Sequence, residues 1–356
     1  MIGRVFVVWA GLMALFVGPL ALAAEDIVIR GPFPIVSTPY LEDGAIDWES
    51  LAKETQFAAK WCPGVIWGQS NDAVDLISWD ERMKAFAVCA KACEGLPVVL
   101  ALGANGTNAA HMVAIAEAIE RTAAAHPRTK VAMISRPPDD ARSEADLERA
   151  WEALAQVAKR PVIFQTHGAK GAPEPSVALM VRLAERHPAC FGWIKEESAG
   201  DNANVRMIEE NAHPAIKSVL AGWGGWQWLH QLRQCGCAGL VTERVAYAPI
   251  LGTIWKLYER GERGTKLAQA YAMYRLLIDQ RNFPGGLRGY SLYLLQKEGL
   301  CKTLVTRQYR KREVTEGGTF GSGKGWKLET TKLTDRQRKE LDFLYDDMMD
   351  FVREMN

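Results

Sequence analysis

Eight short apolar runs alternate with longer amphipathic stretches between Pro34 and Thr242, which predicts an α/β chain closed into a (β/α)8 barrel. The runs are almost continuously apolar, as strands covered by helices must be. Composition agrees: 48% hydrophobic and 24% charged residues suit a packed globular chain and exclude a disordered or fibrous one. With 43 basic against 42 acidic side chains the net charge is only +1, so no nucleic-acid partner is expected.

Taken in order, the chain opens with Arg4, an apolar run from Val5 to Val17, Pro19, and the small residues Ala21–Ala24. Glu25 and Asp26 follow. This is the charged start, apolar middle and A-x-A-like end of a cleaved signal peptide over residues 1–24. The alternative is an uncleaved membrane anchor, for which the run is short against a span of about 20 residues. A periplasmic or secreted protein is therefore expected, with no membrane attachment after cleavage. Export would place seven cysteines, at 62, 89, 93, 190, 235, 237 and 301, in an oxidising compartment. Cys89 and Cys93 lie one helical turn apart, too far for an unstrained bridge. Most of the seven read as small buried apolar residues, and the sequence leaves a disulfide among them open.

The strand candidates are Pro34–Thr38, Gly64–Trp67, Pro97–Leu102, Lys130–Ile134, Pro161–Thr166, Phe191–Lys195, Lys217–Ala221 and Gly239–Thr242. Helical patterns between them cover Trp48–Trp61, Asp80–Cys93, Ala109–Ala125, Glu144–Lys159 and Ser176–His187. An open doubly wound sheet competes with the barrel, but no strand is followed by G-x-G-x-x-G, so a dinucleotide site is not expected. His126, His187 and His213 each precede proline between a helix and a strand, and read as helix stops rather than catalysts. A barrel over residues 25–262 would leave 263–356 as a C-terminal helical appendage. After the eighth strand the helical patterns are Ala248–Arg260, Lys266–Asp279, Leu287–Lys297 and a closing helix from Thr334, whose Gln337 three residues on completes a capping box. Lys302–Arg312, with five basic residues and no acid, reads as a solvated face. The glycine-rich stretch 313–327 reads as a flexible loop, since it lacks a G-K-[ST] ending.

Strand six ends Trp193-Ile194-Lys195-Glu196, and a lysine closing an apolar strand is unusual. Burial disfavours its charged form, which would free the amine to attack a carbonyl. Alternatively the side chain reaches solvent or pairs with Glu196.

Four segments resemble the dihydrodipicolinate synthase/N-acetylneuraminate lyase family. They are Pro34-Ile-Val-Ser-Thr-Pro-Tyr40 with Asp43-Gly44, Leu100-Ala-Leu-Gly103-Ala-Asn105-Gly-Thr107, Gly192-Trp-Ile-Lys195-Glu-Glu-Ser198, and Gly236-Cys-Ala-Gly239-Leu-Val-Thr242. The resemblance implies a TIM barrel with C-terminal helices, a dimer or tetramer, and chemistry on pyruvate or another 2-oxo acid through an imine on Lys195. It also points to Thr242 as a substrate contact. Departures from the family pattern are concentrated at the site. The family's G-T-T-G-E reads Gly68-Gln69-Ser70-Asn71-Asp72, so Gln69 and Ser70 are left to hold the substrate carboxylate. Gln165 occupies the place of the family's relay tyrosine, and a glutamine orients but does not titrate. His167, an imidazole that ordinarily titrates near ~6.5, is the acid–base candidate, or else a solvated loop residue. Arg136 offers a carboxylate fork, or else belongs to the surface. Pocket shape around Trp67, Arg136, Trp223 and Trp226 sets the substrate. Imine chemistry needs no metal and no metal-ligand spacing such as H-E-x-x-H occurs, so no cofactor is expected. The functional expectation is an exported aldolase- or hydratase-type lyase, the alternative a non-catalytic binding protein that keeps the pocket.

Overall fold

The computed structural model describes residues 27–69, 76–168, 171–198, 202–242, 244–279, 286–309 and 326–356. The signal-peptide segment, Ser70 and residues 313–325 of the glycine-rich stretch lie outside the described residues. No helix among those described is long and apolar enough to cross a membrane.

Eight parallel strands form one sheet: β1 (Gly31–Pro34), β2 (Gly64–Trp67), β3 (Val99–Gly103), β4 (Lys130–Ser135), β5 (Val162–Gln165), β6 (Trp193–Glu196), β7 (Ser218–Ala221) and β8 (Gly239–Thr242). Their order is β1-β8-β7-β6-β5-β4-β3-β2, and an Ile35–Ile66 bridge brings the two ends together. The first strand begins three residues earlier than its hydrophobicity suggests. Proline explains the shift. Parallel-strand N–H groups alternate sides. Gly31 and Ile35 donate to Ala238 and Thr242 on the β8 side, so the missing N–H groups of Pro32 and Pro34 fall on the β2 side. Only at Val36 does the chain donate across that seam, to the Ile66 carbonyl at 2.8 Å.

Strand alternation divides the apolar residues into two cores. Phe33, Ile66, Ala101, Ile134, Ile163, Trp193, Leu220 and Val241, one from each strand, fill the barrel with a few neighbours. Val65, Trp67, Leu100, Leu102, Met133, Phe164, Ile194, Val219 and Leu240 face outward under the helices. Each such burial is worth about 1.5–3 kcal/mol, so the pattern fixes which face of every strand meets the lumen.

The helices begin where the sequence supplies an acceptor for orphan N–H groups. Asp47 caps α1 (Trp48–Trp61), Ser78 and Glu81 form a capping box on α2 (Trp79–Ala92), and Asn108 caps α3 (Ala109–Ala125). Ser143 and Ser176 cap α4 (Glu144–Ala155) and α5 (Val177–Arg186). Two short helices had no clear sequence pattern, α6 (Asn202–Asn211) and α7 (Trp228–Gln234). His126 and His187 stand at helix C-caps and His213 in the turn after α6, as punctuation. Next come α8 (Ala248–Glu259), α9 (Thr265–Ile278), α10 (Gly286–Lys297) and α11 (Asp335–Met355), the last opened by the Thr334–Gln337 capping box. All seven cysteines are buried, with no disulfide between them.

The C-terminal region is not only helical. Val305–Tyr309 (β9) pairs antiparallel with Trp326–Thr330 (β10). This corrects the solvated reading at Arg307, which is 4% exposed, while Lys302 of the same run is exposed. The Arg307 guanidinium grips both Glu81 oxygens at 2.7 and 2.9 Å, and donates to the Gly44 and Leu76 carbonyls. A charge can stay buried there because every face of it meets an acceptor or a ring.

Candidate active site

Active sites of such barrels are built at the C-terminal ends of the strands. On β6 the alternation that sends Trp193 into the lumen and Ile194 outward also sends Lys195 inward and Glu196 outward. Lys195 is 5% exposed, and its Nζ lies 2.9 Å from Glu197 Oε2. The partner weighed from sequence, Glu196, is instead outside the barrel wall. There it accepts from Arg206 Nε at 3.2 Å, from Thr166 Oγ1 at 3.3 Å and from the Ser198 N–H at 2.6 Å. Glu210 on α6 packs beside it. Burial, and then the Glu196 charge, push the Glu210 carboxyl well above the usual range.

Glu197 is the functional candidate that motif comparison missed. Residues two apart in an extended segment share a face, so Lys195-x-Glu197 carried the signal. The Glu197 backbone N–H donates to Thr166 Oγ1 at 2.7 Å, and its Oε1 accepts the Trp223 N–H at 3.3 Å. Trp223 holds a positive φ of 49°, a strained conformation for a bulky residue, and its indole donates to the Ser198 carbonyl at 3.0 Å.

On the opposite wall, Asn105 ties three strand tips together. Its Nδ2 donates to the Gly68 carbonyl at 3.1 Å, and its Oδ1 accepts the Arg136 N–H at 3.0 Å. The tips approach so closely that a Cβ on Gly103 would stand 2.0 Å from the Gly68 carbonyl oxygen. Glycine is required there, and Gly68 itself has φ of +90°.

The predicted site residues are not placed alike. Gln69, after β2, is 1% exposed. Gln165, at the end of β5, is 4% exposed and pairs in register with Lys195. It shares the inner face with Ile163, and its Nε2 donates to the His167 carbonyl at 3.1 Å. Arg136 is buried rather than on the surface, donating from Nη1 to Asp139 at 2.7 Å and to the Pro137 carbonyl. Among the described residues, Gln69 Nε2, Arg136 Nε, Gln165 Oε1, Ser37 Oγ and Ser198 Oγ have no hydrogen-bond partner. Such atoms carry a desolvation cost of about 1–3 kcal/mol each until something bonds them.

His167 is about half exposed, its Nδ1 3.9 Å from Glu174 and its ring 5.2 Å from that of Trp223. The solvated-loop alternative describes it. Thr242 falls on the outward phase of β8, where its hydroxyl bonds Tyr274 at 3.0 Å between barrel and α9. Strand period, two residues per repeat, separates it from the inner face that carries Lys195 and Gln165. Trp67 also faces outward, its indole donating to Thr38 at 3.3 Å.

No family model matches the chain. It is 25% identical over 183 residues to the 4-hydroxy-tetrahydrodipicolinate synthase of Archaeoglobus fulgidus, 51% of this chain and 58% of that protein. It is 26% identical over 197 residues to that of Methanothrix thermoacetophila, 55% and 63% of the two chains. These matches span less than two thirds of the relatives' own length. The fold extends further. The 4-hydroxy-tetrahydrodipicolinate synthase structure from Methylacidiphilum fumariolicum SolV superposes with a TM-score of 0.70 at 16% identity, over 92% of this chain and 98% of that one. A sialic acid aldolase from Ruminococcus gnavus gives 0.70 at 15%, over 92% and 99%. In sequence the chain is thus similar, over about half its length, to 4-hydroxy-tetrahydrodipicolinate synthases, and it shares along nearly its whole length the fold of the dihydrodipicolinate synthase and N-acetylneuraminate lyase structures.

Proposed function

We propose that the protein is a Schiff-base-forming lyase, of aldolase or hydratase type, acting on a 2-oxo acid such as pyruvate or a sugar-derived keto acid. One observation carries this reading: Lys195, on the inner face at the mouth of the barrel, is buried with a carboxylate 2.9 Å from its nitrogen. A buried amine with a built-in proton partner is what carbonyl capture requires. Gln69 and Ser70 would contact the substrate carboxylate, Gln165 would orient the bound oxygen, and Arg136 Nε offers a further donor. The site so read needs no metal or cofactor. No proton step is given to His167 and no contact to Thr242, for the geometric reasons above.

The test is borohydride reduction with pyruvate and a panel of 2-oxo acids, followed by peptide mass analysis. A reduced adduct on Lys195 is expected, and its loss in Lys195→Ala. No adduct with any member of the panel would remove the reading. The second reading, a binding protein that has given up turnover, draws on the two glutamines, neither of which can relay a proton. Ligand-induced thermal shifts unchanged by Lys195→Ala would favour it. Export directed by residues 1–24 belongs to the same proposal, and N-terminal sequencing of the mature protein checks it.

A further inference from the structure

An ammonium has no lone pair. Lys195 must lose a proton before attacking a carbonyl, and the resulting carbinolamine must gain one before it loses water. Neither Gln165 nor Gln69 can supply either transfer. Glu196 is turned out of the barrel and engaged by Arg206, Thr166 and the Ser198 N–H. His167 faces Glu174 and Trp223. Among the described residues, Glu197 is the titratable group against the reacting nitrogen, at 2.9 Å, with both side chains about nine-tenths buried.

We propose that Glu197 is a catalytic residue, the proton acceptor and donor for imine formation at Lys195. This rests on the Schiff-base reading of Lys195. The site is built around that carboxylate. Its second oxygen is held by the Trp223 N–H, and its backbone by Thr166. Gly222 leaves it room, since a Cβ there would come within 2.9 Å of Glu197 Cβ and Cγ.

The steps balance. Glu197 takes a proton from the Lys195 ammonium, giving a carboxylic acid and a neutral amine. The nitrogen lone pair forms a bond to C2 of the 2-oxo acid, and the carbonyl π electrons move to oxygen. A proton passes from nitrogen to that oxygen, completing the carbinolamine. Glu197 then protonates the hydroxyl, the C–O bond breaks, and water leaves as nitrogen donates its pair to form the iminium. One ammonium and one ketone become one iminium and one water, and the carboxylate ends ionised. It faces a cation at the start and at the finish, so the ion pair present before the reaction is restored after it.

The experiment compares wild type, Glu197→Gln and Glu197→Asp. Folding is checked by circular dichroism, and the pH-dependent rate of borohydride-trapped adduct on Lys195 is measured. Acetylation of Lys195 by acetic anhydride is followed in parallel, which reads its proton partner without any 2-oxo acid. Trapping in Glu197→Gln is expected to slow by about 10²–10⁴-fold and to lose the acid limb of its pH profile. Glu197→Asp, a carboxylate one methylene short, should recover part of the rate and keep that limb. Equal rates and profiles in wild type and folded Glu197→Gln would overturn the role of Glu197 and leave the imine reading standing. If wild type forms no adduct, the imine reading falls. The acetylation profile then decides Glu197 alone: unchanged in the variant, it overturns the proton exchange. Should Glu197→Gln not fold, Glu197→Ala takes its place, and undiminished trapping in it would overturn the proposal.

Discussion

Replacing Arg307 with Met tests whether the hairpin holds the barrel. Its guanidinium makes two short bonds to Glu81, at 2.7 and 2.9 Å. Two more reach the Gly44 carbonyl, at 2.8 and 3.0 Å, and one reaches Leu76 at 3.2 Å. It also lies 4.9 Å from the Tyr40 ring centre and 4.7 Å from that of Trp326. Removing one partner of a buried pair costs about 3–5 kcal/mol, chiefly because the other charge is stranded. The ring contacts add about 0.5–1 kcal/mol each, though not additively. A loss of about 4 kcal/mol is expected, a large part of the 5–15 kcal/mol that such folds typically have. Urea unfolding should show the midpoint falling with its slope unchanged. Arg307→Lys should recover less than half, because an ammonium cannot reproduce the fork. The effect has a pH signature. Burial alone would raise the Glu81 carboxyl, but the Arg307 bonds and the Ser78 cap outweigh it and hold it below its ordinary 4.5. A depressed folded value gives stability that is present above 4.5 and lost as pH falls through the folded value. The gap between wild type and Arg307→Met should therefore narrow in acid. A cost below about 1 kcal/mol at neutral pH, or a gap indifferent to pH, would refute the ion-pair account.

Asn105→Ala strands the Gly68 carbonyl and the Arg136 N–H, a loss of about 2–4 kcal/mol in chemical unfolding. The same variant should slow adduct formation at Lys195 without touching that residue. For Glu210 the sign is opposite to Glu81. Burial beside Glu196 raises it, so its contribution is present below about 4.5 and lost as pH rises through the folded value. Glu210→Gln should stabilise by about 1–2 kcal/mol at pH 8 and by little at pH 4, read as paired thermal melts. Burial pushes the Cys93 and Cys237 thiols up to about 12. Thiol reagents should therefore leave both unlabelled in the native protein and reach them in urea; rapid native labelling would contradict the packing.

Much of the barrel was legible because one periodicity repeats. Trp48–Trp61 and Ala109–Ala125 came out with their observed ends, where a cap and an apolar stripe coincide. The hairpin was hidden because its strands lie on either side of the glycine-rich stretch, with no local turn to announce the pair. The basic run looked solvated because its acid, Glu81, comes from a helix 226 residues away. The helix Asn202–Asn211 buries Glu210 beside Ala203 and Met207 while leaving Val205 and Ile208 exposed, so apolar character alone does not mark its buried face. At the site, Lys195 was legible from its position on an apolar strand. Thr242 was misplaced because motif matching ignores strand phase, which turns adjacent residues to opposite faces. Glu197 was overlooked because the resemblance gives a role in that segment to Lys195 alone, although phase alone would have named it.

The prolines of the first strand also bear on how the barrel breathes. A cylinder of hydrogen-bonded strands has no free edge, yet this one is lapped along a line where one side can donate only at Val36. Opening there breaks fewer bonds than along any fully laddered pair. The Val36 amide should therefore exchange with deuterium ahead of those in the Leu100–Leu102 ladder, and the wall should first part along this line, beside the tip that holds Ser37.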